Sequence, residues 1–224
     1  MDTESVVSRT RSVKQTNVHV ENIKRKTKIY SSYFMKQLKK PSHANNPGEN
    51  EFTNSLISMI LFVALVTISQ YLFTNNLFWS NSPSFLPFFM EVFLLTFFMI
   101  GVVILSLFLI SNFFGPQHSF KAIISFYGGQ LSPLIILSIV SIFLMLVESF
   151  TYGNAILTIS LIFGLFILPL YVISFLLTSN QSSVDPLYGF ILYIITFSIL
   201  FMLFIIIVGD SKIGGYFDNM NYLF

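Results

Sequence analysis

The chain has 224 residues, of which 54% are hydrophobic and 10% are charged, and its formal net charge is +2. A soluble domain is about 45–50% apolar and about 25% charged, so this composition excludes an ordinary water-soluble domain and indicates a chain embedded in lipid. There is no cysteine, which excludes disulfides, thiolate catalysis and Cys-ligated zinc.

Positive charge is concentrated at one end of the chain. Ten of the 12 Lys and Arg residues lie within residues 1–53, and only Lys121 and Lys212 follow. Lys- and Arg-rich flanks of membrane spans are retained on the cytoplasmic side. We therefore expect a multi-pass protein of the cell membrane with its N-terminus in the cytoplasm.

The basic end divides into three predicted segments. Residues 1–19 show no hydrophobic periodicity and are expected to form a disordered polar tail. Residues 20–40 are predicted to form a basic amphipathic helix that Pro41 ends, and residues 41–53 a polar linker. One side of this helix carries Val20, Ile23, Tyr30, Phe34 and Leu38, and the opposite side carries Lys24, Arg25, Lys28, Lys36, Lys39 and Lys40.

The two sides of this helix suggest that it binds lipid. The apolar side is expected to dip below the head groups of the inner leaflet, while the six cations contact anionic phospholipid. Each cation near such a surface contributes about 1 kcal/mol. The alternative is that the cations serve only to set the topology. Binding of nucleic acid is not expected from a helix with this apolar side that is tethered to lipid.

Five apolar runs form a predicted membrane domain over residues 54–208. Each run is close to the roughly 20 residues that a helix needs to cross about 30 Å of hydrocarbon. A spanning segment must satisfy its own backbone polar groups, so we expect helices. The predicted spans are 54–73, 86–114, 131–148, 155–177 and 187–208.

The predicted fold is all-α: five transmembrane helices preceded by a basic amphipathic helix, with residues 209–224 as a short tail outside the cell. Two alternatives stay open. If residues 115–130 form a re-entrant piece instead of a loop, the number of spans is still five. If the weakest run, 131–148, does not cross, the C-terminus lies in the cytoplasm.

Three acidic residues are expected near the outer ends of the spans: Glu91, Glu148 and Asp210. Carboxylates within a membrane are costly and often functional, so this candidate outer acidic cluster could bind a cation or relay protons. The alternative is that each carboxylate lies at interfacial depth and reaches water. No combination of His, Asp and Glu predicts a metal site, and no motif predicts a cofactor.

Pro169 lies in the middle of the fourth predicted span and is expected to kink it. Broken helices can mark the binding site of a transporter. However, Pro and Gly are common in membrane helices, and close helix packing is the alternative explanation.

Two stretches and the five-span layout resemble bacterial YIP-like (Ypt-interacting-protein-like) integral membrane proteins over roughly residues 22–208. The first stretch is YSSYFMKQLKKPS at residues 30–42, and the second is Ser119-Phe120-Lys121 followed by Gly128-Gly129 and Ser132-Pro133. The resemblance implies a bacterial membrane protein without catalytic residues. Members of the most similar branch often carry an N-terminal zinc ribbon, which this cysteine-free chain lacks.

The sequence therefore leads to a non-enzymatic YIP-like protein that organises or scaffolds the cell membrane and recruits an unidentified protein partner to anionic lipid. Two alternatives come from other functional classes: a small transporter or permease subunit, and an immunity-type membrane protein. A transporter needs a polar path, and the first and fifth spans offer few polar residues. No nucleophile, base or metal set indicates an enzyme.

Overall fold

The computed structural model describes residues 3–40, 51–77, 83–114, 118–178 and 185–209. Over these residues the chain is helical and contains no strand, which confirms the predicted all-α class. Most of the predicted linker and of the C-terminal tail lies outside the described residues. The helices are α1 (Thr3–Lys39), α2 (Phe52–Leu77), α3 (Phe85–Phe114), α4 (Phe120–Gly129), α5 (Ser132–Leu146), α6 (Phe150–Ile162), α7 (Leu168–Thr178) and α8 (Pro186–Gly209).

Four helical segments are long and apolar enough to cross a membrane: α2, α3, the α6–α7 segment and α8. They correspond to the first, second, fourth and fifth predicted spans. The third differs, because α5 has only 15 residues and covers about 22 Å at 1.5 Å per residue. Helix α4 precedes it at a bend of 47°, and the pair is a fifth candidate, as one broken span or as a re-entrant loop.

Helix α1 is longer than predicted. It begins at Thr3, so it includes residues 3–19, for which the sequence predicts a disordered polar tail. Missing hydrophobic periodicity argues against a packed side of a helix, and it does not argue against the helix itself. Residues 3–39 contain no Gly or Pro, and extending an existing helix adds one hydrogen bond for each residue fixed.

Helix α2 lies at the centre of the bundle, where it packs against α3, α4, α5 and α6. Phe62 and Val63 are completely buried there. Helices α5 and α6 form an antiparallel pair: Ser141 Oγ donates to the Gly153 carbonyl at 2.8 Å, and Ser138 Oγ lies 3.4 Å from Ser160 Oγ. Helix α8 packs on α3 and α7 and exposes most of its apolar surface.

A π-helical turn, Phe163–Ile167, joins α6 to α7 directly before Pro169. In this turn the Leu168 N–H bonds to the Phe163 carbonyl, five residues back instead of four. The next possible donor to the Gly164 carbonyl would be residue 169, but proline has no N–H. The structure thus places a backbone irregularity at the site where the sequence predicted a kink, and it leaves the Gly164 carbonyl without a backbone donor.

The turn between α5 and α6 has a left-handed residue at Glu148, whose φ is 61°. The Glu148 N–H bonds to the Met145 carbonyl, and the Ser149 N–H bonds to the Leu144 carbonyl. These two bonds form a Schellman motif, in which glycine is the usual left-handed residue. The Glu148 side chain is exposed, and its backbone follows the end of α5 in a conformation that is unfavourable for a residue with a Cβ.

Candidate membrane-docking site

The C-terminal part of α1 packs on the end of the bundle through three side chains. Tyr30 and Tyr33 bond to α2, and Gln37 bonds to Glu51 directly before α2. Tyr33 is 6% exposed and Gln37 is 1% exposed, whereas Tyr30 is half-buried. Tyr33 and Gln37 are four residues apart, so they lie on the same side of the helix. Tyr33 and Gln37 are not part of the predicted apolar stripe, but two aromatic members of that stripe, Tyr30 and Phe34, also contact the bundle.

Ser55 connects α1 to both α2 and α4. Its Oγ donates to the Ser125 carbonyl at 3.2 Å, which uses the one proton of the hydroxyl. The 2.8 Å bond between Tyr33 and Ser55 must then be donated by Tyr33. A second bond, between Tyr30 and Ser58, has a length of 3.1 Å. We call these four side chains, together with Gln37, Glu51 and the neighbouring Gly128, the α1 junction.

Glu51 adds charge to the α1 junction. It accepts from Gln37 Nε2 at 3.4 Å and lies 3.5 Å from Lys36 Nζ. The Lys36 side chain remains 63% exposed, so this ion pair is hydrated and weak. Glu51 also directly precedes the first residue of α2, where a carboxylate interacts favourably with the helix dipole.

Gly128 allows α4 to approach α2 at this level. A Cβ atom at position 128 would lie 2.6 Å from the Ser55 carbonyl oxygen and 2.8 Å from Ser55 Cβ. Small residues are the usual means by which membrane helices pack this closely. The α1 junction therefore depends on one glycine and one serine that face each other.

Burial changes the ionisation of both tyrosines. It raises the pKa of Tyr33 to about 12, with a further increase from the charge of Glu51, although the bond to Ser55 lowers it. Burial also raises the pKa of Tyr30, against the bond to Ser58. Both hydroxyls therefore remain neutral near pH 7, as the described bonds require.

The cations between Lys24 and Lys40 are exposed, and of these Lys36 also lies near Glu51 of the α1 junction. All six predicted lipid contacts are exposed, namely Lys24, Arg25, Lys28, Lys36, Lys39 and Lys40. Lys26 is exposed as well. The N-terminal part of the apolar stripe is also exposed, at 45% for Val20 and 63% for Ile23. The structure thus divides the predicted stripe into a protein-bound half and an open half.

The other predicted site residues do not come together in one described site. Glu91 is half-buried on α3 and Glu148 is exposed in the α5–α6 turn, while Asp210 lies outside the described residues. Over the described residues, no group of three or more His, Asp and Glu side chains can hold a metal. Pro169 is buried in α7, next to the π-helical turn.

Apart from Tyr30, the side chains that bond α1 to the bundle are not among the residues predicted from the sequence. Tyr33 and Gln37 lie at the edge of the predicted apolar stripe, and Ser55 and Ser58 lie inside an apolar run. The pattern of Tyr30, Tyr33 and Gln37 at spacings of three and four residues was the available signal. Their partners could not be found from it, because a hydroxyl in a membrane helix has no periodic signature.

Comparison with curated proteins gives no match, and comparison with solved structures gives none either. A family model described as a domain of unknown function, DUF6574, matches residues 20–218. The match begins in α1 and extends past α8, so it includes the basic helix as well as the bundle. The chain therefore belongs to the DUF6574 family.

Proposed function

We propose that this chain is a non-enzymatic, YIP-like organiser of the cell membrane whose helix α1 docks on anionic lipid of the inner leaflet. The observation that carries the proposal is the orientation of α1. Its aromatic side is bonded to the start of α2, so its cations are held beside the end of a membrane span. At that level they face the lipid head groups.

The proposed contact combines charge with apolar surface. Lys24, Arg25 and Lys28 are exposed next to Ile23, and each cation contributes about 1 kcal/mol near an anionic surface. Lys36 contributes less, because Glu51 already lies 3.5 Å away. The open half of the stripe, Val20 and Ile23, supplies apolar area that can enter the interface.

We further propose five spans, with α4 and α5 crossing as one broken helix and the C-terminus outside. The pairing of helices supports this topology. Helix α5 packs along α6, and α4 packs along α7, so the bent pair follows a complete spanning segment. A re-entrant loop would turn back before reaching the second half of that segment.

The internal polar groups favour an organiser over a transporter. Thr67, Ser106 and Ser138 each donate to the carbonyl four residues earlier in their own helix. Such hydroxyls are occupied by the backbone and do not offer a path to a solute. Recruitment of a protein partner would use the exposed surface of α1.

The full-length protein in nanodiscs tests the docking of α1. An environment-sensitive fluorophore is attached to Ile23→Cys, since the chain has no other cysteine. We expect a blue-shifted emission in nanodiscs that contain phosphatidylglycerol, and no shift in phosphatidylcholine alone. Added salt should reverse the shift.

Two matched variants decide whether charge is responsible. Replacing Lys24, Arg25, Lys28 and Lys39 with Gln should abolish the shift, because about 4 kcal/mol of attraction is removed. Replacing Lys24, Lys28 and Lys39 with Arg should preserve it. If the emission wavelength changes neither with lipid charge nor with the Gln substitutions, the proposal is wrong.

Thiol labelling of intact cells tests the topology. A cysteine at Ser149, in the α5–α6 turn, should react with an impermeant reagent from outside. A cysteine at Asp185, before α8, should react only after the cells are permeabilised. Labelling of Asp185→Cys in intact cells would contradict five spans.

A further inference from the structure

A groove of about 360 Å³ opens where the α4–α5 bend faces the π-helical turn. Gln130 and Pro133 line one side of it, and Phe163, Ile167, Leu168 and Tyr171 line the other. Its volume lies within the range of small-molecule sites. The two irregular helices thus leave space at the same level of the bundle.

Gln130 and Tyr171 carry the polar side-chain groups of this groove, and Gln130 is the more deeply buried of the two. It is 5% exposed, and its Nε2 has no hydrogen-bond partner among the described residues. A buried amide without a partner is costly, and the cost is larger in a membrane, where water is absent. The groove therefore presents a hydrogen-bond donor that lacks its acceptor, surrounded by apolar side chains.

The groove faces lipid and lies near one surface of the bilayer. Ile167 is 43% exposed and Tyr171 is 44% exposed. Tyr171 precedes the end of α7 by seven residues, which is about 10 Å along the helix axis. In the proposed topology this end of α7 is cytoplasmic, so the Tyr171 end of the groove lies below the head groups of the inner leaflet, while Phe163 lies deeper. Gln130 is also near that leaflet, because it follows by two residues the Gly128 that faces Ser55 near the start of α2.

We propose that this groove binds one glycerophospholipid, with an acyl chain against Leu168 and Ile167 and an ester carbonyl oxygen accepting a hydrogen bond from Gln130 Nε2. An ester carbonyl is the acceptor that a bilayer supplies at this depth, and the acyl chain matches the apolar lining. No charged side chain lines the groove, so we expect the site to recognise the ester group of the lipid and not its head group. Its occupancy is independent of the cations of α1.

Native mass spectrometry of the delipidated full-length protein tests the site. The probes are dioleoyl phosphatidylcholine and its ether-linked analogue, which lacks the ester carbonyls but has the same charge and chains. We expect the wild-type protein to retain the ester lipid about two- to tenfold better, the factor that one neutral hydrogen bond supplies. Equal retention of the two lipids would overturn the proposal without any variant.

Two pairs of variants locate the binding. Gln130→Met should remove the preference for the ester lipid, whereas Gln70→Met, in α2, should preserve it. Ile167→Trp should fill the groove and lose both lipids, whereas Ile159→Trp, at an exposed position of α6, should retain them. Lipid retention unchanged by Ile167→Trp, or a change of oligomeric mass without loss of lipid, would refute the site; the second result would assign the groove to a second copy of the chain.

Because both probes are zwitterionic, this experiment does not depend on the docking of α1. Failure of the groove would leave the response of the Ile23 fluorophore to phosphatidylglycerol unchanged. Failure of α1 docking would equally leave the ester preference of Gln130 unchanged.

Discussion

The hydroxyl of Tyr127 donates a 3.0 Å hydrogen bond to the carbonyl oxygen of Gly164. This carbonyl is the one that the π-helical turn and Pro169 leave without a backbone donor. Tyr127 is completely buried on α4, so a residue 37 positions earlier supplies the missing bond. Tyr127 of α4 therefore compensates for the hydrogen bond that the irregular backbone of α6–α7 lacks.

Tyr127→Phe should destabilise the protein by about 1–2 kcal/mol, because the Gly164 carbonyl remains buried and unpaired. Reversible unfolding in detergent by increasing dodecyl sulfate measures the change. Tyr152→Phe is the matched control, since Tyr152 is 71% exposed. In a Pro169→Ala background, where residue 169 regains an N–H, the same substitution should cost less; an equal cost would show that the bond does not compensate for the proline.

Gly128→Ala should destabilise the bundle by about 1–3 kcal/mol through overpacking. The added Cβ would meet the Ser55 backbone, which cannot move aside as a flexible side chain can. Gly101→Ala is the control, because nothing lies within 4 Å of its added Cβ. At this exposed position of α3, alanine should stabilise the helix by up to about 1 kcal/mol. The same unfolding measurement distinguishes the two, and similar effects at both positions would contradict the close approach.

Glu148→Gly should stabilise the protein by about 1 kcal/mol, because glycine adopts a φ of 61° without the steric cost of a Cβ. Glu148→Ala removes the same charge but retains the Cβ, so it should give no such gain. If both variants gave the same stability, the charge of Glu148 and not its backbone conformation would be responsible. Thermal unfolding of the three proteins in one detergent provides the comparison.

High pH should release α1 from the bundle. The pKa of Tyr33 is about 12 when α1 is docked and 10.0 when the side chain is free. The docked state therefore holds its proton more tightly, and its stability is complete below pH 10 and is lost as the pH rises from about 10 to about 12. The distribution of distances between spin labels at Ile29→Cys and Ile57→Cys should broaden over that pH interval.

Tyr33→Phe provides the control for this titration. The variant has no proton to lose at position 33, so the release of α1 over the same interval should be smaller, with Tyr30 and Glu51 still present. It should also dock more weakly at neutral pH, by about 1 kcal/mol, because the bond to Ser55 is gone. If the distance distribution of the wild-type protein stays narrow up to pH 12, Tyr33 is not buried at the α1 junction.

Long apolar runs made the first, second, fourth and fifth spans predictable, because crossing about 30 Å of lipid imposes a length and a composition. Pro169 was recognised for a similar reason: a residue without an N–H must disturb a helix wherever it lies. In both cases the constraint is local. The partner of the disturbed carbonyl, Tyr127, was not predictable, because it comes from another helix.

The third predicted span differs from the structure for another reason. Around Gln130 the apolar sequence is interrupted by Gly128, Gly129 and Pro133, so the predicted span begins only at residue 131. Whether such residues produce a loop, a bend or a straight helix depends on what packs beside them. Here Ser55 of α2 lies against Gly128, and the chain continues as two short helices at 47°.

The bond between Ser55 and the Ser125 carbonyl joins residues 70 positions apart, and this separation has a consequence during biosynthesis. Helix α1 leaves the ribosome first, but the surface that holds it is complete only after α4 has been made and inserted. In the topology we propose, its cations are free during this interval to keep the N-terminus in the cytoplasm. On that proposal, the helix directs insertion before it packs on the bundle.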